Sequence, residues 1–273
     1  MFTDKERYLF DLQGYLEIDD VLKLDEVADL NHKIDEYDLW EQSGQDRHFD
    51  SWRNGDSQIS VGPLHRLARQ FRQLVGHARI VPYLADLLGN QFRYDHGHAM
   101  LMRKGGGPFE LHGGAVPWFP GIRYAVADGQ IHSELLVVAY ALGDVGEGDG
   151  GLCVVPGSHK SNFACPSSFV SLEETGPWLR HVPQKAGSAI IFTEALTHGT
   201  LPWAADHERR ALFYRYTPGH IAFVGRYRED EREELDGGYP RPSHSAEDDW
   251  SPEERRILEA PYLWNRADTI SES

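Results

Sequence analysis

Gly187-Ser188-Ala189-Ile190-Ile191-Phe192-Thr193-Glu194-Ala195-Leu196-Thr197-His198 is a glycine turn, a short apolar strand and then a histidine. A second histidine, His112, stands in Phe109-Glu110-Leu111-His112-Gly113-Gly114, again beside glycine at the edge of a β element. Glycine at such a place lets the backbone come close to an ion or ligand. Imidazole nitrogen is a usual ligand for divalent iron or zinc. Arg209 follows His198 by eleven positions, on the next strand. A guanidinium can grip a carboxylate with two parallel hydrogen bonds. Two histidines far apart in sequence, each at a strand end, with an arginine soon after the second, predict one site. The histidines hold a divalent metal and the arginine holds the carboxylate of an acid co-substrate. The chain has 14 histidines, so it is this setting, not the residue type, that singles out His112 and His198.

Around these segments the pattern is mainly β with flanking helices. Residues 135–142 form a continuous apolar run, as in a strand buried on both faces. Residues 92–102, 153–155, 188–192 and 211–216 are further strands, separated by Gly/Pro turns at 146–151 and 156–160. Short strands so spaced indicate a sandwich or barrel. Before them come helices at 3–12, with Tyr8, Leu9 and Leu12 on one side, and at 23–37, with Leu24, Val27, Leu30 and Ile34. A short strand, 14–18, lies between. Residues 38–60 are polar and read as loop, and helices at 63–75 and 78–88 stop at Gly89. Residues 105–131 read as a long Gly- and Pro-rich loop. Trp118, Phe119 and Tyr124 there serve either as pocket walls or as loop packing. Residues 225–250 are charged and loop-like, and Ser251-Pro252-Glu253-Glu254 opens a last helix. Neither repeat nor linker divides the chain. The expectation is a single domain over 1–273: N-terminal helices at about 1–90, a β core at about 91–220 and a charged tail at about 221–273.

Composition narrows the partners. The formal net charge is −16, from 43 acidic and 27 basic residues. Nucleic-acid backbones and anionic membranes both need a basic patch, so neither is an expected partner. Cys153 and Cys165 have no disulfide or thiolate-metal spacing and are expected reduced. The charged start, Met1-Phe2-Thr3-Asp4-Lys5-Glu6-Arg7, does not read as a secretory signal, and no apolar stretch of about 18 residues occurs. A soluble, cytoplasmic protein acting on a small molecule is the default expectation. Oligomeric state is not readable.

The order Lys104, His112, the apolar strand to Leu142, Gly150-Gly151-Leu152, Val155-Pro156-Gly157-Ser158-His159-Lys160, His198-Gly199 and Arg209 resembles the phytanoyl-CoA dioxygenase family of iron(II)/2-oxoglutarate oxygenases. Gly14-Tyr15-Leu16 with its following helix resembles that family's opening, and the likeness covers roughly residues 8–220. It implies a double-stranded β-helix, the cupin-like jelly roll, with helices packed against one sheet. It implies Fe(II) held by His112 and His198, and 2-oxoglutarate meeting Arg209. Lys104 matches a lysine that helps bind the co-substrate, and Tyr140 stands where an aromatic can lie near it. Arg210, one residue on, should point to the opposite face and be structural. His159 belongs to a turn and need not touch metal.

One position departs from the family's His-x-Asp motif: Gly114 replaces the carboxylate. Three consequences follow. Chloride could bind there, as in halogenases that resemble this family. Water or another carboxylate (Glu110, Asp128 or Glu134) could fill the place in a hydroxylase. Or the protein binds metal poorly. The competing class is a non-catalytic or zinc-dependent cupin-like metal-binding protein.

Overall fold

A computed structural model of the chain describes residues 2–40, 50–224, 251–259, 261–264 and 266–270. The helices are α1 (Asp4–Gln13), α2 (Leu24–Glu36), α3 (Arg69–Gln73), α4 (Val81–Leu88), α5 (Ser167–Val170) and α6 (Pro252–Ile257). The first seven strands are β1 (Tyr15–Ile18), β2 (Asp50–Arg53), β3 (Gln58–Gly62), β4 (Arg93–Met102), β5 (Phe109–His112), β6 (Tyr124–Ala127) and β7 (Gln130–Ser133). The rest are β8 (Leu136–Ala141), β9 (Gly151–Val154), β10 (Arg180–His181), β11 (Ala189–Thr193), β12 (His198–Leu201) and β13 (Arg209–Thr217).

Every strand pairing is antiparallel. A seven-stranded sheet runs β1-β11-β8-β13-β4-β3-β2, and a four-stranded sheet runs β10-β9-β12-β5. Strands far apart in sequence are neighbours in both, as the expected double-stranded β-helix requires. Leu152 and Val154 of the small sheet pack with Val137, Ala139, Ile190, Phe192, Ala211 and Phe213 of the large one. The outer face of the large sheet meets the helices in a second core that includes Phe10, Val27, Leu30, Phe71, Leu84 and Ile257. Strand alternation divides the two cores: on β13, Ala211 and Phe213 face inward while Leu212, Tyr214 and Tyr216 face the helices.

Tyrosines fasten the helices to that outer face. The Tyr214 hydroxyl donates to the Phe71 carbonyl at 2.7 Å, and Tyr216 to the Val75 carbonyl at 2.9 Å. These carbonyls belong to the end of α3 and the turn after it, where helical backbone runs out of its own donors. Buried phenols therefore satisfy acceptors that would otherwise be stranded away from water.

Several expectations are corrected. Phe10, not Tyr8 or Leu12, anchors α1; Tyr8 and Leu12 are exposed, as is Leu24 on α2. The 63–75 segment is broken into α3 between two 3-10 turns, Leu64–Arg66 and Leu74–Gly76. Part of the polar 38–60 stretch forms β2 and β3 at the sheet edge, while residues 41–49 lie outside the described residues. The 105–131 stretch contains β5 and the start of the β6–β7 hairpin. The final helix forms as expected, with Ser251 capping through Glu254. It packs back through Ile257, and Arg266 donates to the Gln91 carbonyl. The charged 225–250 segment lies outside the described residues. No helix among the described residues is long and apolar enough to cross a membrane.

Candidate metal centre

His112 ends β5 and His198 begins β12, and they are direct partners across that antiparallel pair. Opposed residues project from the same face, so the rings meet with centroids 4.1 Å apart. Each ring is fixed by one hydrogen bond: His112 Nδ1 lies 3.1 Å from the Glu110 carbonyl and His198 Nδ1 2.7 Å from the Leu196 carbonyl. A carbonyl can only accept, so each Nδ1 carries the proton and each Nε2 offers a lone pair. This backbone-carbonyl support is the usual setting of a metal-binding imidazole. His198 is buried, and burial next to His112 pushes its pKa down to about 4. It is therefore neutral near pH 7. His112 sits at the rim, with 40% of its side chain exposed.

A third donor lies between them. Glu194 Oε1 is 3.8 Å from His198 Nε2 and 4.0 Å from His112 Nε2. His112, Glu194 and His198 form a group that could hold a metal ion. Burial would raise the Glu194 carboxyl, but Arg215 and the surrounding histidines outweigh it and hold it below its ordinary range. Arg215 Nε stands 3.6 Å from Glu194 Oε2, and Arg215 Nη1 donates to His98 Nδ1 at 3.2 Å. Sequence reasoning passed over Glu194. Its signal was there: Ile190 and Phe192 face inward, and the same alternation carries residue 194 inward one step beyond β11. The carboxylates weighed instead are elsewhere. Glu110 and Asp128 are exposed, and Glu134 accepts from the Gly121 and Arg123 amides.

Arg209 opens β13 and is 2% exposed. Its Nη1 lies 3.6 Å from Met100 Sδ and 3.4 Å from Met102 Sδ, while its Nε has no partner. Among the described residues it forms no ion pair. Burial brings its pKa down to about 10, so it remains a cation near neutrality. Arg210 points to the opposite face, as alternation requires, and pairs with Asp35 and Glu208.

Two expected co-substrate residues are not brought to the site. Lys104 is on the surface, its ammonium 2.5 Å from Asp206. Tyr140 faces the helices, edge-on to Tyr214 and His77, because Val137 and Ala139 hold the inward positions of β8. A cleft of about 380 Å³ opens over the histidines, walled by Trp52, His98, Met100, Phe109, Phe213 and Arg215. Trp118 and Phe119 are exposed and do not line it; Tyr124 is half-buried and donates to Asp11. His159 is buried against Tyr124 and the Asp11 carbonyl and does not belong to the His112–Glu194–His198 group.

Residues 10–211 match the family model described as phytanoyl-CoA dioxygenase (PhyH). An ectoine dioxygenase of Streptomyces coelicolor is 26% identical over 157 residues, 57% of this chain and 50% of that protein. One from Streptomyces anulatus is 29% identical over 173 residues, 57% of this chain and 52% of that protein. The chain thus spans about half the length of the curated relatives it matches. Among solved structures, HygX from Streptomyces hygroscopicus with nickel and 2-oxoglutarate bound aligns with a TM-score of 0.70 at 22% identity, covering 81% of this chain and 89% of HygX. The non-heme alpha ketoglutarate dependent epimerase SnoN from nogalamycin biosynthesis aligns with a TM-score of 0.60 at 20% identity, covering 87% of this chain and 94% of SnoN. These alignments support the double-stranded β-helix read from the strand order.

Proposed function

The chain belongs to the phytanoyl-CoA dioxygenase family, and from that premise we propose that it is an iron(II)- and 2-oxoglutarate-dependent oxygenase acting on a C–H bond of a small organic molecule. The observation that carries the reading is the pair of imidazoles whose Nδ1 atoms are both tied to backbone carbonyls, leaving two Nε2 lone pairs beside one carboxylate. Nitrogen and carboxylate donors suit divalent iron. When bound, iron and 2-oxoglutarate supply the dioxygen-dependent oxidation. The chain's residues position them. His112 and His198 hold the metal. Arg209 receives the far carboxylate of 2-oxoglutarate: it is a buried cation with no anionic partner among the described residues, a costly arrangement unless a ligand supplies one. Met100 and Met102 pack against its guanidinium and shield it from water. The cleft volume suits a small-molecule substrate, with Trp52, Phe109 and Phe213 offering aromatic faces.

Of the three outcomes raised by Gly114, we favour the oxygenase over the halogenase and over poor metal binding. A carboxylate, Glu194, already stands beside both imidazoles, which supports the carboxylate-filled alternative over a halide site. The test is anaerobic addition of Fe(II) and 2-oxoglutarate. A weak visible charge-transfer band is expected, and it should be missing with zinc in place of iron. No band with iron would overturn the reading in favour of a zinc-dependent or non-catalytic cupin-like protein.

A further inference from the structure

The family's carboxylate position is empty of side chain, yet a carboxylate lies between the two imidazoles. Resting on the iron reading above, we propose that Glu194 completes the metal site, supplying from the β11–β12 corner the carboxylate that Gly114 cannot. Two donors that bind one ion at about 2.1 Å stand at most about 4.2 Å apart. Glu194 Oε1 meets that limit with both histidines, at 3.8 and 4.0 Å. Its other oxygen, Oε2, is buried without a hydrogen bond and faces Arg215 at 3.6 Å. One oxygen is thus directed to the shared point and the other to a guanidinium.

The glycines explain how the corner comes so close. A Cβ on Gly113 would stand 2.4 Å from the Glu194 carbonyl oxygen and 2.6 Å from that of Leu196. Both obstacles are backbone and have little room to move. Gly114 has φ +98°, which disfavours any L side chain, and its added Cβ would meet Thr197. Residues 113–114 and 194–197 lie against one another, and only glycine at 113 permits it. An aspartate at 114 would be strained at that φ and would crowd the Thr197 hydroxyl. Glu194 then gives the ion one carboxylate beside two imidazole nitrogens.

Metal binding to the purified full chain tests this, with anaerobic Co(II) as probe. Calorimetry and the visible Co(II) spectrum both read coordination without turnover. Glu194→Gln should weaken Co(II) binding by more than about 100-fold, beyond the loss typical of an outer-shell change. Because the variant also leaves Arg215 without its carboxylate, affinities are compared well below the thermal midpoints of both proteins. The visible Co(II) spectrum of Glu194→Gln should differ from that of wild type, because one protein oxygen donor is lost. Equal affinity in wild type and Glu194→Gln would overturn the proposal and leave the iron reading intact. A Co(II) spectrum unchanged between wild type and Glu194→Gln would do the same. Wild type that binds neither Co(II) nor Fe(II) would overturn both.

Discussion

Arg209 and Arg215 stand six residues apart on β13 and both point between the sheets, yet they meet different surroundings. Arg209 lies against two methionine sulfurs, its Nε unpartnered. Arg215 faces Glu194 and donates to His98. Residue type, strand and direction are the same; only the supply of negative charge differs. A buried cation beside a carboxylate of its own chain is already matched. One without such a partner is suited to an anion from outside. On the proposed reading the pair separates two tasks, ligand capture at one end of the strand and support of the candidate metal site at the other.

The sharpest way to break this comparison is Arg209→Gln. Removing one partner of a buried charge pair costs about 2–5 kcal/mol. The 2-oxoglutarate Kd of the metal-loaded protein should therefore rise by about 100-fold, measured by anaerobic calorimetry, with metal affinity little changed. If 2-oxoglutarate binding survives that substitution and is lost in Arg215→Gln, the two roles are reversed. A smaller effect is expected from Arg215→Met, which frees Glu194 Oε2. Metal binding should weaken about 10-fold, as for other residues that orient a ligand. The 2-oxoglutarate affinity at saturating metal should stay near wild type. The smallest change should come from Arg210→Ala, on the outer face of the same strand. Its partly exposed pairs with Asp35 and Glu208 contribute about 1 kcal/mol. Chemical denaturation should show that loss, with both ligand affinities intact.

The β-rich core and the candidate histidines were legible in the sequence for physical reasons, while the double-stranded β-helix came from the family resemblance. His112 and His198 stood out because glycine and strand ends flank them. Arg209 was separated from Arg210 by alternation alone. Glu194 was missed because alternation marks it only as inward-facing, while its closeness to His112 depends on two segments about 80 residues apart lying against each other. Tyr140 was misplaced because 135–142 is apolar on both faces, so no polar side marks which direction is inward. Lys104 carries no local sign of whether it points inward or to water. The edge strands β2 and β3 were read as loop because Asp, Ser and Gly at a sheet edge look like a turn-rich linker.

Because β13 serves both cores, it has a single workable alignment. Sliding it by one residue would exchange the two sets of side chains. Tyr214 and Tyr216 would enter the space beside the imidazoles, while Arg209 and Arg215 would be driven among Phe71, Leu74 and Leu84. Phenol groups and guanidinium groups thus act as opposite keys on one blade. The tyrosine bonds that hold the helices also fix the longitudinal position of the arginines, so loosening the back of the sheet should blur its front.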